Sequence, residues 1–336
     1  MSMCETEETP FSRSFIKLQE YNKNDLRIRI MQWNMLAQGF IPLDEFVYCP
    51  SKLLSLERRC KIIANEILHY NPDFICLQEA DIIKDIVNHL NENGEKIAYD
   101  YQFLPKRLSP CLFVEDNQGP DGLAVIYRND NFELLKSEEI PLDENNSRQA
   151  LFCHFKHKND DNANKGYSDI YLICLHLKAK ESCSEIRYQQ GKKLVDYLSS
   201  FINHTSSNST SVVNYPIFVC GDFNAEPTES VINLLRNFPS SPNTPYKLTS
   251  AYCLAGSGSE PEFTTWKIRK SERIVNLTEV CHTIDYIWYC DRLCTLLGVW
   301  SIPSKSEIGP FGLPSAMFPS DHMNLIADFS LSTCER

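Results

Sequence analysis

Short apolar runs that stop abruptly on acidic, amide or basic side chains recur along this chain, and this pattern restricts its fold more than any other feature. Residues 28–36 close through Trp33-Asn34-Met35, and residues 74–77 run into Gln78-Glu79. Residues 170–175 lead into His176-Leu177-Lys178-Ala179-Lys180, and residues 217–220 into Gly221-Asp222-Phe223-Asn224. Late in the chain, His282-Thr283-Ile284-Asp285-Tyr286 opens a run over 284–289, and Ser320-Asp321-His322 precedes another over 324–329. Runs this short are the length of buried strands. In a layered α/β fold the strand ends at one edge converge on a site.

Amphipathic stretches separate the runs. Leu53, Leu56, Cys60, Ile63, Ile67 and Leu68 fall at helical spacing over 51–70, and Asn71-Pro72-Asp73 stops that helix. Helices are expected over 81–90 and 184–201, and further strands over 123–127, 151–155 and 296–300. Strands outnumber helices and several adjoin through short polar turns, which favours mixed sheets over a strict βαβ array. The polar stretches 156–168, 205–214 and 255–261 read as surface connections rather than linkers. The expectation is one catalytic domain over 26–332, behind a flexible segment over 1–25.

Composition narrows the function. A chain of 336 residues that is 43% hydrophobic can bury a sizeable core. Its formal net charge of −11 argues against holding nucleic acid through a broad basic face. No apolar stretch approaches the roughly 20 residues of a membrane-spanning helix. The acidic N-terminus resembles neither a secretory signal nor a mitochondrial presequence, so a cytoplasmic location is expected. The fourteen cysteines are scattered through apolar runs with no zinc-ligand spacing, as reduced, buried thiols would be.

No glycine-rich phosphate loop and no Gly-x-Ser-x-Gly elbow is present. Singly, the strand-end residues have ordinary uses: Glu79 as a helix cap, Asp222 and Asn224 as an Asx-turn, His322 as a surface histidine. Together they supply what phosphate-ester hydrolysis requires, namely hard oxygen ligands for a metal, a base for water, an imidazole and cations.

The series WN, LQE, HLK, GDFN, HT-DYI and SDH resembles the exonuclease–endonuclease–phosphatase superfamily, from about Arg27 to about Phe329. The resemblance implies a four-layer α/β sandwich with two mixed sheets face to face and helices outside. It also implies a Mg²⁺-dependent phosphohydrolase, with Mn²⁺ as a substitute. Glu79 matches the principal metal ligand, with Asn34 beside it and Asp321 as a second metal or water contact. Asp222 matches the acid that activates water, Asn224 its orienting amide, and His322 an imidazole paired with Asp285. His176 matches a phosphate-binding imidazole.

The stretches 30–38, 119–122, 219–229, 264–269 and 282–289 resemble one branch of that superfamily. That branch was long grouped with poly(A) deadenylases and is also associated with removing the 2′-phosphate of NADP⁺ and NADPH. By this resemblance Lys106, Lys178 and Arg269 grip dinucleotide phosphates, and Leu177, Ala179 and Lys180 complete the loop around the substrate. A compact cationic pocket suits a small, multiply charged ligand such as NADP(H). Single-stranded RNA, the alternative substrate, calls for a long basic groove with exposed stacking aromatics, and no basic run here suggests one. A catalytically dead binding protein is disfavoured by the intact acid, amide and imidazole set. The chain departs from the branch at Lys180, where the branch has Arg, and at Arg107 and Leu108, where it has Pro and Trp. Asn146, Ser147 and Arg148 compete for a polar position ahead of the 151–155 strand.

Overall fold

In the computed structural model the described residues are 9–41, 46–94, 97–115, 117–144, 147–158, 169–207, 215–238, 246–270 and 277–331. The strands are β1 (Phe15–Lys17), β2 (Leu26–Asn34), β3 (Phe74–Gln78), β4 (Tyr99–Pro105), β5 (Gly122–Arg128), β6 (Phe132–Pro141), β7 (Gln149–His157) and β8 (Asp169–His176). They continue as β9 (Ile217–Asp222), β10 (Leu248–Ser250), β11 (Thr265–Lys270), β12 (Leu277–His282), β13 (Asp285–Cys290), β14 (Thr295–Trp300) and β15 (Leu325–Leu331). Helices are α1 (Leu56–Tyr70), α2 (Ile83–Asn93), α3 (Ser184–Ser207), α4 (Ser230–Arg236), α5 (Ala251–Ala255) and α6 (Lys305–Ile308).

One sheet has the order β1-β14-β15-β2-β3-β5-β4 and the other β10-β13-β9-β8-β7-β6, with β11-β12 as a separate hairpin. Each large sheet contains one parallel pair among antiparallel ones, β2 with β3 and β8 with β9. Strands in such positions are buried on both faces, which explains why Phe-Ile-Cys-Leu and Phe-Val-Cys read as unbroken apolar runs. The sheets pack face to face through Ile28, Phe74, Val125, Phe155, Leu172, Phe218 and Phe329, all buried in one core. Helices α1 and α2 cover the outer face of the first sheet through Ile63, Ile67, Ile86 and Leu90. On the second sheet Leu194 and Leu198 of α3 and Val231 and Ile232 of α4 join the core, completing the four-layer sandwich.

Several boundaries differ from the sequence reading. The first large strand stops at Asn34 because Leu36 adopts a left-handed backbone with φ 59°. Helix α2 starts at Ile83, since the Asp81 carboxylate is committed to the backbone N–H groups of Gln38 and Gly39. Nor is the whole segment before residue 26 loose. Phe15–Lys17 pairs with β14, and buried Arg13 donates to the carbonyls of Ser301, Trp300 and Asn324. A three-residue edge strand anchored by a guanidinium leaves no periodic signature. Strands β4, β6, β10, β11 and β12 also escaped the reading, being half-exposed, short or charged. No described helix is long and apolar enough to cross a membrane.

Candidate active site

Strand register assembles the site. Asn34 lies opposite Gln78 across the β2–β3 pair, which places Glu79 beside it at the next position. His176 lies opposite Asp222 across β8–β9, and Asp285 lies opposite Asp222 across β13–β9. Asp222 thus sits between His176 and Asp285 at the end of a central strand. Gly221 permits this close approach, because a Cβ there would lie 2.3 Å from the Leu175 carbonyl oxygen. Both sheets contribute to one cleft of about 530 Å³, whose lining includes Glu79, His176, Asp222, Asn224, Asp321 and His322.

The acidic end is held by hydrogen bonds. Asn34 Nδ2 donates to Glu79 Oε1 at 3.1 Å and to Asp222 Oδ2 at 3.0 Å. Its Oδ1 accepts from the Leu36 N–H, which fixes the orientation of the amide. Glu79 Oε2 accepts from the Ala37 N–H at 3.2 Å. Asp222 Oδ1 accepts the Asn224 N–H at 2.8 Å, the Asx-turn expected of that sequence. Asn224 Nδ2 donates to the Leu177 carbonyl. Leu36, Glu79, Lys180 and Asn224, all lining the cleft, have positive φ without being glycine. Such conformations store strain and cluster at functional sites.

Asp285 and His322 are joined at 2.9 Å through Oδ2 and Nδ1, both side chains being buried. The Thr264 hydroxyl donates to the same Oδ2 at 2.6 Å, and Gln32 Nε2 approaches Oδ1 at 3.4 Å. His322 Nε2 then faces Asp222 Oδ2 at 4.0 Å, and His176 Nε2 lies 3.5 Å from that oxygen. The loop carrying His322 is pinned by Trp33 Nε1 to its carbonyl and by Ser320 Oγ to the Asn34 carbonyl.

These contacts set the proton affinities. Burial works against a charged His322 ring, but Asp285 and then Asp321 outweigh it and raise the imidazole to about 9. Burial, and next the Asp285 charge, raise Asp222 above the usual carboxylate range. Burial raises Glu79 too, with Asp321 adding to it. His176 goes the other way: burial, then the charges of Arg148 and Lys106, hold it neutral.

Two groupings offer themselves to a metal. Asp222, Asp285 and His322 have donor atoms within 4.8 Å of one another, a metal-sized cluster among the described residues. There, however, Asp285 and the His322 Nδ1 are committed to each other and to Thr264. Glu79 instead offers two carboxylate oxygens, each with one recorded hydrogen bond and a lone pair to spare, in the hard-donor setting Mg²⁺ prefers. Asp321, expected as a second contact, is ion-paired with buried Lys267, whose importance the sequence reading missed.

The cationic end is less uniform. Lys106 and Lys180 line the cleft, as does Ala179. Leu177 does not: it is fully buried, because the strand alternation that turns His176 toward the cleft turns its neighbour into the core. Lys178 does not line the cleft either, its N–H donating to Gln190 and its carbonyl accepting from buried Arg187. Arg269 pairs by its backbone with Thr278 in the β11–β12 hairpin, and its side chain lies outside the described part. Of the three competitors ahead of β7, Asn146 lies outside the described residues and Ser147 is bound to Asp143, whereas Arg148 reaches the cleft.

Comparison with known proteins gives a consistent picture. The model of the endonuclease/exonuclease/phosphatase family matches residues 31–155 and 198–322. The chain is 36% identical to nocturnin of Xenopus laevis over 312 residues, covering 90% of this chain and 72% of that protein. It is 36% identical to human nocturnin over 340 residues, 98% of this chain and 72% of that protein. Among solved structures, the human nocturnin catalytic domain with bound sulfate superposes with a TM-score of 0.70 and 32% identity, covering 95% of this chain and 98% of that one. ANGEL2, a 2′,3′-cyclic phosphatase, superposes at 0.71 with 20% identity, covering 96% and 98%, a likeness of fold alone.

Proposed function

Because this chain belongs to the endonuclease/exonuclease/phosphatase family, and within it is similar to the nocturnins, we propose that it is a metal-dependent phosphohydrolase that removes the 2′-phosphate of NADP⁺ and NADPH. The observation that carries the substrate choice is the cleft: about 530 Å³, with Lys106, Arg148, Lys180 and Lys267 gathered around it. That size, with basic side chains at one end and carboxylates that a metal would offset at the other, suits a compact polyanion. The sulfate in the human relative's catalytic domain supports an anion-binding site on this fold.

Glu79 would hold Mg²⁺, with Asn34 and Asp321 beside it. When bound, the ion offsets phosphate charge and polarises the reacting oxygens. Asp222, with its raised proton affinity and its orientation fixed by Asn34 and Asn224, takes the proton of the attacking water. His322, kept as imidazolium by Asp285, donates to the oxygens on which charge develops; as the bond from water to phosphorus forms the P–O2′ bond breaks, and the departing 2′-oxygen takes its proton from solvent. His176, neutral beside Asp222, adds a further hydrogen bond to the phosphate. Among the described residues no Ser or Cys lines the cleft, and this scheme requires no covalent intermediate. We assign the catalytic unit to residues 26–332, with the 13–17 anchor packed against it.

The competing reading, removal of AMP from poly(A), draws on an exposed aromatic pair, Tyr48 stacked on Phe311 at 4.9 Å. One preparation decides between them. NADP⁺ hydrolysis yields NAD⁺ and free phosphate with weak salt dependence, whereas poly(A) binding falls with a slope near about −0.7 per neutralised phosphate. AMP release from oligo(A), without phosphate release from NADP⁺ at comparable enzyme, overturns the proposal.

A further inference from the structure

The cations that line the cleft are not equally available. Lys106 is ion-paired with Asp121 at 3.0 Å, Arg187 with Glu229 at 2.7 Å, and Lys267 with Asp321. Lys180 is exposed at the rim, where water satisfies it. Arg148 differs from all of these. It is half-buried at the head of β7, and among the described residues its guanidinium has no hydrogen-bond or ion-pair partner. A half-buried guanidinium whose donors no protein acceptor occupies can offer them to an anionic ligand, and it displaces only water in doing so.

Its location says which anion. Arg148 borders the main cleft and also a narrow annex lined by Leu104, Lys106, Asp121, Ser147, Gln149 and His176. Glu79, Asp222, Asp285 and His322 do not line the annex. The guanidinium therefore borders the catalytic cleft and, together with Lys106 and His176, a space beyond it that the groups assigned to bond cleavage do not line. Lys180, the exposed cation of the loop after β8, cannot present a planar fork. β7 runs beside β8, Ala150 opposite Leu175, so Arg148 can supply that fork from the neighbouring strand.

We propose that Arg148 is a specificity-determining residue that holds, in bidentate fashion, a phosphate of the substrate other than the one removed. In a dinucleotide that group is the pyrophosphate. The identity of the substrate rests on the function proposed above; the anion site does not, and the test separates them.

Binding of inorganic pyrophosphate is measured by calorimetry on the full chain in EDTA. Arg148→Ala weakens it at least about tenfold, and Arg148→Lys, which keeps charge but loses the fork, by about threefold. Arg107→Ala is the control, since that guanidinium pairs with Glu139 outside the cleft, and it binds like the wild type. In turnover, the ratio of KM for NADP⁺ to KM for 2′-AMP, which lacks a pyrophosphate, rises about tenfold in Arg148→Ala. Thermal melting of both Arg148 variants establishes that they are folded. Wild-type pyrophosphate affinity in Arg148→Ala, no pyrophosphate binding by the wild type, or an equal rise in both KM values overturns the assignment. Failure of the wild type to release phosphate from NADP⁺ instead overturns the dinucleotide reading, while the pyrophosphate measurement still decides Arg148.

Discussion

The two ends of the cleft are built differently. At the acidic end, Asn34, Glu79, Asp222, Asp285 and His322 sit at or beside the ends of strands from both sheets, interlocked by mutual hydrogen bonds and by Thr264. At the cationic end, Lys106, Arg148 and Lys180 come from loops and a strand approach, each from a different part of the chain. Over-determined geometry suits groups that must meet a transition state closely. Separately mounted charges suit binding, where each can be exchanged without disturbing the others. The chemistry is thereby fixed by the sheets and the substrate by their connections, and variants at the two ends should behave accordingly.

The largest effect is expected at Glu79. Glu79→Ala, like removal of divalent metal by EDTA, should lower turnover by about 10³-fold or more while the melting transition stays cooperative, since only Asn34 and the Ala37 N–H lose a partner. Near-wild-type kcat in that variant, at saturating Mg²⁺, would remove Glu79 from the metal site. His322→Ala should cost about 10²-fold in kcat with little change in KM, and a change confined to KM would reduce the ring to a binding group.

The same pair predicts a pH dependence of stability in metal-free protein. His322 binds its proton more tightly folded, at about 9, than at the ordinary 6.5 of a free imidazole. Its contribution is therefore fully present below about 6.5 and lost as pH rises toward 9. Thermal melts across that window should fall more steeply for the wild type than for His322→Gln. Parallel curves would mean that Asp285 does not hold the ring charged.

The acidic end was legible in the sequence for the reason that makes it rigid. A buried strand that stops on a functional side chain writes both facts into a few adjacent residues, as in Leu77-Gln78-Glu79 or Cys220-Gly221-Asp222. Register then does the rest, because Asp222 and Asp285, far apart in sequence, are cross-strand neighbours. The cationic end was legible only in part: Lys106 and Lys180, named from the sequence, line the cleft, but the others do not follow the same rule. Lys178 follows a strand as closely as His176 does, yet Gln190 and Arg187 hold its backbone away from the cleft. Arg148 and Lys267 reach it through pairings that no local pattern announces. The only hint at Lys267 was its place within the Thr264–Arg269 stretch.

Lys267 tests where the two ends meet. It is a buried ion-pair partner of Asp321, so Lys267→Met should cost about 3 kcal/mol of stability, the scale for breaking a buried ion pair. If Asp321 also faces the metal, Mg²⁺ should restore much of that loss in denaturant titrations, because the ion replaces the missing ammonium. No restoration by Mg²⁺ would confine Asp321 to the ion pair.

The smallest effect is expected at Lys180, and it tests how far the cationic end can be exchanged piece by piece. Lys180 is exposed, and its left-handed backbone, φ 86°, is held by Arg187 donating to its carbonyl, so its side chain is replaceable without moving the loop. Lys180→Arg adds a planar fork to a group already charged, in water that screens most of the gain. The KM for NADP⁺ should fall by no more than about two- to threefold with kcat unchanged, and any gain should shrink as salt is raised. If the fork of Arg148 already occupies the same phosphate, the two should compete, and Lys180→Arg should rescue part of the Arg148→Ala defect while doing little in the wild type. A fall in kcat would instead show that the loop after β8 is coupled to Asp222 through Leu177, whose N–H donates to the Asp222 carbonyl, and that the division between the two ends is not clean.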